Sequence, residues 1–233
     1  MTDGARGAAV AVVGADVDVG AELTAGLSVL GATVAPLPSS VLSGREDLRI
    51  ALVEATRQLG RLDGVVLTSV GLEPTVRGDL AGLDALEWRA RVELPLHRTL
   101  LCFQGAFDAL SDVGGTVVVL VPTLSLVGAA GFAPWAAVTE GQRALAKAAA
   151  RAWGQQAINV HCVAVPAALL TTRRGGGDGA DEQIDRPGQP APALRQPDVR
   201  ADVAAVVHGL LSPAWRAVTG STVAVDGGVW MTP

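Results

Sequence analysis

Side chains able to run acid–base, nucleophilic or metal chemistry are scarce in this chain, and none stands at the spacing such chemistry requires. Tyrosine is absent, and Lys147 is the lone lysine beside abundant arginine. A general acid or base works best when it titrates near the operating pH, which singles out His97, His161 and His208. These three follow no ligand or catalytic pattern. Ser125 with His97 and an aspartate can be drawn as a hydrolase triad, but no Gly-x-Ser-x-Gly elbow presents the serine. His161 lies in an apolar, strand-like run, so its expected role is core packing with a satisfied polar tip. Cys102 and Cys162 sit in apolar patterns without ligand spacing and read as core residues. Paired acids for a metal are not evident, and Asp226 in VDGG reads as the residue that orders a turn.

Composition narrows the classes further. A chain of 233 residues with 49% hydrophobic and 18% charged residues fits one globular domain with a sizeable core. No uninterrupted apolar run reaches the roughly eighteen residues that a membrane-spanning helix needs. The start, MTDGARGAAVAVVG, has no basic segment followed by an apolar block and a cleavage site. A cytoplasmic location is therefore expected, with no membrane partner. Net charge is −5 and the basic residues form no cluster, which argues against a nucleic-acid partner. Scarce lysine and tyrosine beside abundant Ala, Gly and Val look like a GC-rich coding bias. Such a bias would not by itself remove a residue on which catalysis depended.

The elements that would position a site alternate regularly. Strands are predicted over Ala8 to Val13, Thr33 to Ala35, Gly64 to Thr68, Thr116 to Val121, Ile158 to Val165 and Thr222 to Val225. Helices are predicted over Val19 to Leu30, Arg45 to Leu59, Leu83 to Leu110, Pro134 to Trp153 and Val199 to Leu211. In the second of these, Leu48, Leu52, Ala55 and Leu59 share one face. Continuous apolar strands separated by helices imply a parallel sheet covered on both sides: a single Rossmann-type, doubly wound α/β domain over residues 1–233. Thr171 to Arg200, rich in Gly, Pro and charge, reads as a mobile loop rather than a linker, because a helix and a strand follow it.

Four stretches in order resemble the short-chain dehydrogenase/reductase family across nearly the whole chain. VVGADVDVGAEL (Val12 to Leu23) is placed like the family's Gly-rich turn, and GRLDGVVLTSVG (Gly60 to Gly71) like its fourth strand with the Asn-Asn-Ala-Gly ending. ALAKAAARAWGQQAINVHCVAV (Ala144 to Val165) resembles the long helix and sixth strand. VTGSTVAVDGGVWMTP (Val218 to Pro233) resembles the C-terminal signature. The resemblance implies an NAD(P)-dependent oxidoreductase ancestry, while activity rests on the site itself.

Matched position by position, that site is eroded. The family's Thr-Gly-x-x-x-Gly-x-Gly falls on Val13 to Gly20, keeping Gly14 and Gly20 but placing Asp18 at the middle glycine. That glycine lets the backbone approach a pyrophosphate at a helix N-terminus. Two unit charges about 4 Å apart near a surface repel by roughly 4 kcal/mol, and Asp16 adds a second negative charge. Asp18 is expected to cap the helix that starts near Val19. At the end of the second strand, where the family reads the ribose with a charged residue, stand Leu37 or Pro38. The helix at Arg45 follows so soon that the family's intervening helix and third strand are expected to be deleted, with a short rebuilt strand at Ser40 to Leu42 as the alternative.

The resemblance also places a catalytic Asn, Ser, Tyr and Lys, and here those positions hold Pro95, Pro122, Trp135 and Thr139. An indole N–H donates a hydrogen bond but does not titrate usefully. Lys147 lies twelve residues beyond Trp135, about 18 Å along a helix. Neither redox catalysis nor NAD(P) binding is therefore expected. The favoured role is a non-catalytic subunit of a homo- or hetero-oligomer, paired with an active paralogue, since family members associate through their two long helices and C-terminal strand region. Two alternatives stand beside it. One is an NAD(P)-dependent, ketoacyl-reductase-like enzyme using Thr123, Ser125 or Thr139. The other is a small-molecule binder whose emptied pocket has Trp135 as its wall.

Overall fold

The computed structural model describes residues 7–68, 70, 71, 75–171 and 191–231. Six strands, β1 (Ala9–Val13), β2 (Thr33–Leu37), β3 (Gly64–Leu67), β4 (Gly115–Pro122), β5 (Ile158–Val165) and β6 (Thr222–Ala224), form one sheet in the order β2-β1-β3-β4-β5-β6. Every neighbouring pair is parallel. The helices that make the crossovers are α1 (Asp18–Val29), α2 (Arg45–Leu59), α3 (Ala85–Trp88), α4 (Leu94–Leu110), α5 (Leu124–Val127), α6 (Ala133–Trp153) and α7 (Ala204–Leu210).

Alternation along the strands splits the apolar side chains between two cores. Val10 and Val12 face one side with Leu23 and Leu27 of α1 and Val207 and Leu210 of α7. Ala11 and Val13 face the other with Leu48 and Leu52 of α2, Cys102 and Phe103 of α4 and Val138 of α6. Each fully buried Val or Leu contributes roughly 1.5–3 kcal/mol against exposure, which is why strands buried on both faces read as continuous apolar runs.

The expected shortening is present. A dinucleotide-binding sheet of this kind carries a further strand outside the second, whereas here the chain goes from β2 to α2 through one 3-10 turn, Ser39–Ser43. That turn stands where a short rebuilt strand was the alternative. β2 also runs two residues beyond its predicted end and becomes the edge of the sheet. Thr33 N–H donates to the Ala8 carbonyl and the Leu37 carbonyl accepts from Gly14 N–H. By the parallel alternation, Thr33, Ala35 and Leu37 bond inward, so Pro36 faces the open edge. A proline there removes a donor from the exposed rim and blunts it against pairing with another chain.

The predicted helix over Leu83 to Leu110 is interrupted by a π turn at Arg89–Glu93, in which Leu94 N–H donates to the Arg89 carbonyl. Pro95 follows at the start of α4. Its ring would collide with the carbonyl four residues earlier in a regular helix, and the widened turn relieves that clash. The last predicted helix likewise opens with a π turn, Val199–Val203, before α7. The loop expected over Thr171 to Arg200 lies largely outside the described residues. Among the described residues no helix is long and apolar enough to cross a membrane.

Candidate functional site

In an open parallel sheet the crevice beyond the C-terminal strand ends, where strand order reverses, is the place a ligand binds. Here that reversal lies between β1 and β3. The turn after β1 begins at Gly14, whose φ of +88° is a left-handed conformation that favours glycine. Gly20 is the third residue of α1, and a Cβ there would collide with the Gly14 carbonyl oxygen. Both retained glycines are thus demanded by the backbone itself. Asp18 is the first residue of α1, preceded by Val17, which makes no side-chain cap. The expected capping role is therefore corrected: Asp18 stands one position inside the helix. Its exposed carboxylate lies in the first turn, where the helix dipole favours a negative charge.

Asp16 does different work. Its carboxylate accepts from Ser39 N–H at 2.6 Å and from Ser39 Oγ at 2.8 Å, tying the turn after β1 to the turn after β2. The Leu37 carbonyl accepts from both Gly14 and Ala15 N–H at 2.9 Å. At Leu37 and Pro38, where the family reads the ribose with a charged side chain, the end of β2 instead fastens the glycine turn. From the other side, the buried Thr68 hydroxyl donates to the Val13 and Gly14 carbonyls at 3.0 and 3.1 Å. Asp16 and Ser39 are 23 residues apart, and no local periodicity announces such a clamp.

The four expected catalytic positions are drawn into one neighbourhood. Pro122, the last residue of β4, and Trp135 of α6 line a common cleft with Leu67, Thr68, Gln142 and Leu170. Thr139 is fully buried, and its hydroxyl donates to the Trp135 carbonyl at 2.9 Å. Pro95 connects through the backbone: Thr99 Oγ1 donates to its carbonyl, and Gln142 Nε2 donates to Thr99 Oγ1 at 3.0 Å. Gln142 breaks the apolar stripe Val138, Ala146, Ala149, and that break is the signal by which the sequence could have shown it.

As the described residues bound it, this cleft is small. It offers about 20 Å³, room for one water-sized guest. Trp135 is 5% exposed and packs with Phe132, Leu124 and Ala167 in a small core of its own. None of the described residues lining the cleft titrates near neutral pH. The shifted groups lie elsewhere. Burial pushes the Cys102 and Cys162 thiols up to about 12, as expected of core cysteines. Hydrogen bonds from Arg57 and Gln58 bring Glu54 down to about 2 on the exposed face of α2. Perturbed groups tend to gather at working sites, and among the described residues none lines the cleft.

Other candidates settle into structural roles. Among the described residues no three His, Cys, Asp or Glu side chains gather to hold a metal. Asp226 is buried and accepts from Gly228 N–H and Trp230 N–H, both at 2.9 Å, ordering the turn as expected. Ser125 Oγ is buried without a hydrogen-bond partner. A second cavity, of about 420 Å³, opens beside the Ser39–Ser43 turn and includes Arg98 of α4.

His161 departs from expectation. It is fully buried on β5, and neither ring nitrogen has a hydrogen-bond partner of full geometry. Burial lowers its pKa below 6.5, and the nearby Val218 carbonyl opposes this only in part. Well above pH 6.5 both folded and unfolded states are neutral at this position. As pH falls below that value the unfolded chain takes up the proton first, so stability declines. Denaturant titrations at pH 7, 6 and 5 should show wild-type stability falling with acid over this window. His161→Leu should flatten the slope, and parallel profiles would contradict the assignment.

Comparison with known proteins places this geometry in context. Residues 4–230 match the profile of the family described as Enoyl-(Acyl carrier protein) reductase. The chain is 29% identical over 226 residues to the short-chain dehydrogenase/reductase ABA4 of Pyricularia oryzae, covering 95% of this chain and 82% of that one. It is 24% identical over 208 residues to the 12alpha-hydroxysteroid dehydrogenase of a Clostridium species, covering 89% and 78%. Among solved structures, a short-chain type dehydrogenase/reductase from Mycobacterium ulcerans superposes with a TM-score of 0.78 at 22% identity, covering 96% of this chain and 90% of that one. A blue fluorescent protein from a metagenomic library, in complex with NADPH, superposes with a TM-score of 0.73 at 22% identity, covering 97% and 99%.

Proposed function

The chain belongs to the short-chain dehydrogenase/reductase family, and on that premise we propose that it is a non-catalytic subunit of an oligomer, paired with an active paralogue. One observation carries the reading. Gly14 and Gly20, which the backbone needs with or without a ligand, are kept, while the intervening position that serves only the approach of a pyrophosphate holds Asp18. NAD(P) does not fit the residues present on this reading. A carboxylate stands in the first turn at the helix terminus, the sheet ends at β2 with no strand outside it, and the described residues lining the cleft leave about 20 Å³ and include no group that titrates near neutral pH.

What the chain keeps is surface. α4 and α6 pack on one another, and their outer sides leave Leu94, Leu100, Ala144, Ala148 and Ala152 exposed. The small residues Ala144, Ala148 and Ala152 along α6 allow a close neighbour, and the exposed leucines of α4 suit burial against a partner. Affinity purification of the chain from its native host should yield a mixed oligomer. Its second subunit would be a dehydrogenase that retains a catalytic tyrosine and lysine. Recovery as a homo-oligomer alone would overturn the pairing.

A second reading keeps NAD(P)-dependent oxidoreduction with altered residues. It draws on relatives named as dehydrogenases and on the structural neighbour that holds NADPH. Thr123, Ser125 or Thr139 would then have to position a carbonyl. The full burial of Thr139, with its hydroxyl given to the Trp135 carbonyl, weighs against that residue.

A further inference from the structure

The connection between β3 and α3 bridges from the wall of the Pro122–Trp135 cleft, where Thr75 lines it, to the turn before α6. There Gly78 N–H donates to the Gly131 carbonyl at 2.9 Å. Two glycines in this junction each seat an arginine. The Arg77 stem lies against Gly131, whose φ is +85°, and a Cβ added there would stand 2.7 Å from Arg77 Cγ. Arg91, from the π turn before α4, reaches under Gly78, where an added Cβ would stand 2.8 Å from Nη1. Its Nη2 donates to the Val76 carbonyl.

Arg91 does not suit a strap that stays shut. It is 8% exposed, its Nε is buried without a partner, and among the described residues no carboxylate pairs with it. A charge taken out of water is compensated by an opposite charge together with filled hydrogen bonds. The Val76 carbonyl supplies one bond and no charge, against the five N–H donors of a guanidinium. The strap over it leaves Val76 and Leu80 58% and 65% exposed, so closure buries little apolar surface of its own. Segments with few buried apolar contacts are those that open locally while the rest stays folded. We propose that residues 76–80 form a lid over the cleft, in equilibrium between this closed form and an open form in which the Arg91 guanidinium is hydrated. The charge of Arg91 works against closure, and the seats at Gly78 and Gly131 favour it. The volume of about 20 Å³ then belongs to the closed form, and access to the Trp135 side of the cleft requires the lid to lift.

Hydrogen exchange of the full chain, read by mass spectrometry, tests this, with phenylglyoxal labelling of Arg91 as a second readout. Peptides covering residues 76–82 should exchange well before those of β4 and β5, and Arg91 should label in the folded chain. Both rates should be insensitive to low denaturant, as local opening requires. Arg91→Met keeps the length and removes the charge, and it should slow exchange over 76–82 by about tenfold or more. Gly131→Ala drives a methyl against the Arg77 stem and should speed both exchange and labelling by about tenfold. Labelling of the wild type and of Gly131→Ala decides the matter if Arg91→Met does not fold. Labelling that appears only when the whole chain unfolds would overturn the proposal. So would unchanged or faster exchange in Arg91→Met, or labelling that Gly131→Ala leaves unchanged.

Discussion

Gly20→Ala should lower the thermal midpoint of the ligand-free chain by roughly 6–12 °C, because the added methyl collides with the Gly14 carbonyl oxygen. Both partners are backbone-fixed, so neither a rotamer change nor a side-chain shift relieves the contact. Overpacking of this sort costs about 3 kcal/mol, at the upper end of the usual range. Gly154→Ala is the matched control: its Cβ would meet nothing within 4 Å, and its φ of −59° suits alanine. That change should leave the midpoint level or raise it slightly. Equal stability of Gly20→Ala and wild type would mean that the glycine is not retained for the fold, and the contrast with Asp18 would lose its force.

Trp135→Ala should be equally damaging for a different reason. The indole is 5% exposed and fills the space between Phe132, Leu124 and Ala167, with the Phe132 ring centroid at 6.3 Å. Truncating a buried tryptophan costs about 3–5 kcal/mol, so chemical denaturation should show a clear loss of stability, and Trp135→Phe should recover much of it. A residue serving as the wall of a ligand pocket would behave otherwise. Its removal would change ligand affinity more than it changed the stability of the bare chain.

Much of this was legible in the chain itself, and the reasons differ by element. Continuous apolar runs such as Val10 to Val13 and Val117 to Val121 report burial on both sides of a sheet, and only parallel strands under helices meet that demand. The short gap between Leu37 and Arg45 likewise left no room for another helix and strand. The replacements at Pro122 and Trp135 could be placed by counting, and the two do line one cleft. Interactions that depend on distant residues meeting were not visible. The Asp16–Ser39 clamp, the Thr68 bonds to the glycine turn and the Gln142–Thr99 pair each join separate elements. Asp18 was read as a cap because an aspartate before an apolar helix commonly is one, and the structure moves it one residue inward. His161 was expected to find a partner because buried polar groups nearly always do, and the nearby Val218 carbonyl is a partner only short of full hydrogen-bond geometry.

The central claim is that the fold has outlived its dinucleotide site, and calorimetric titration with NADH and NADPH tests it most directly. The account predicts no saturable heat for either nucleotide up to millimolar concentration, with the chain folded throughout. Saturable binding of either one at micromolar affinity would contradict it and restore the oxidoreductase reading.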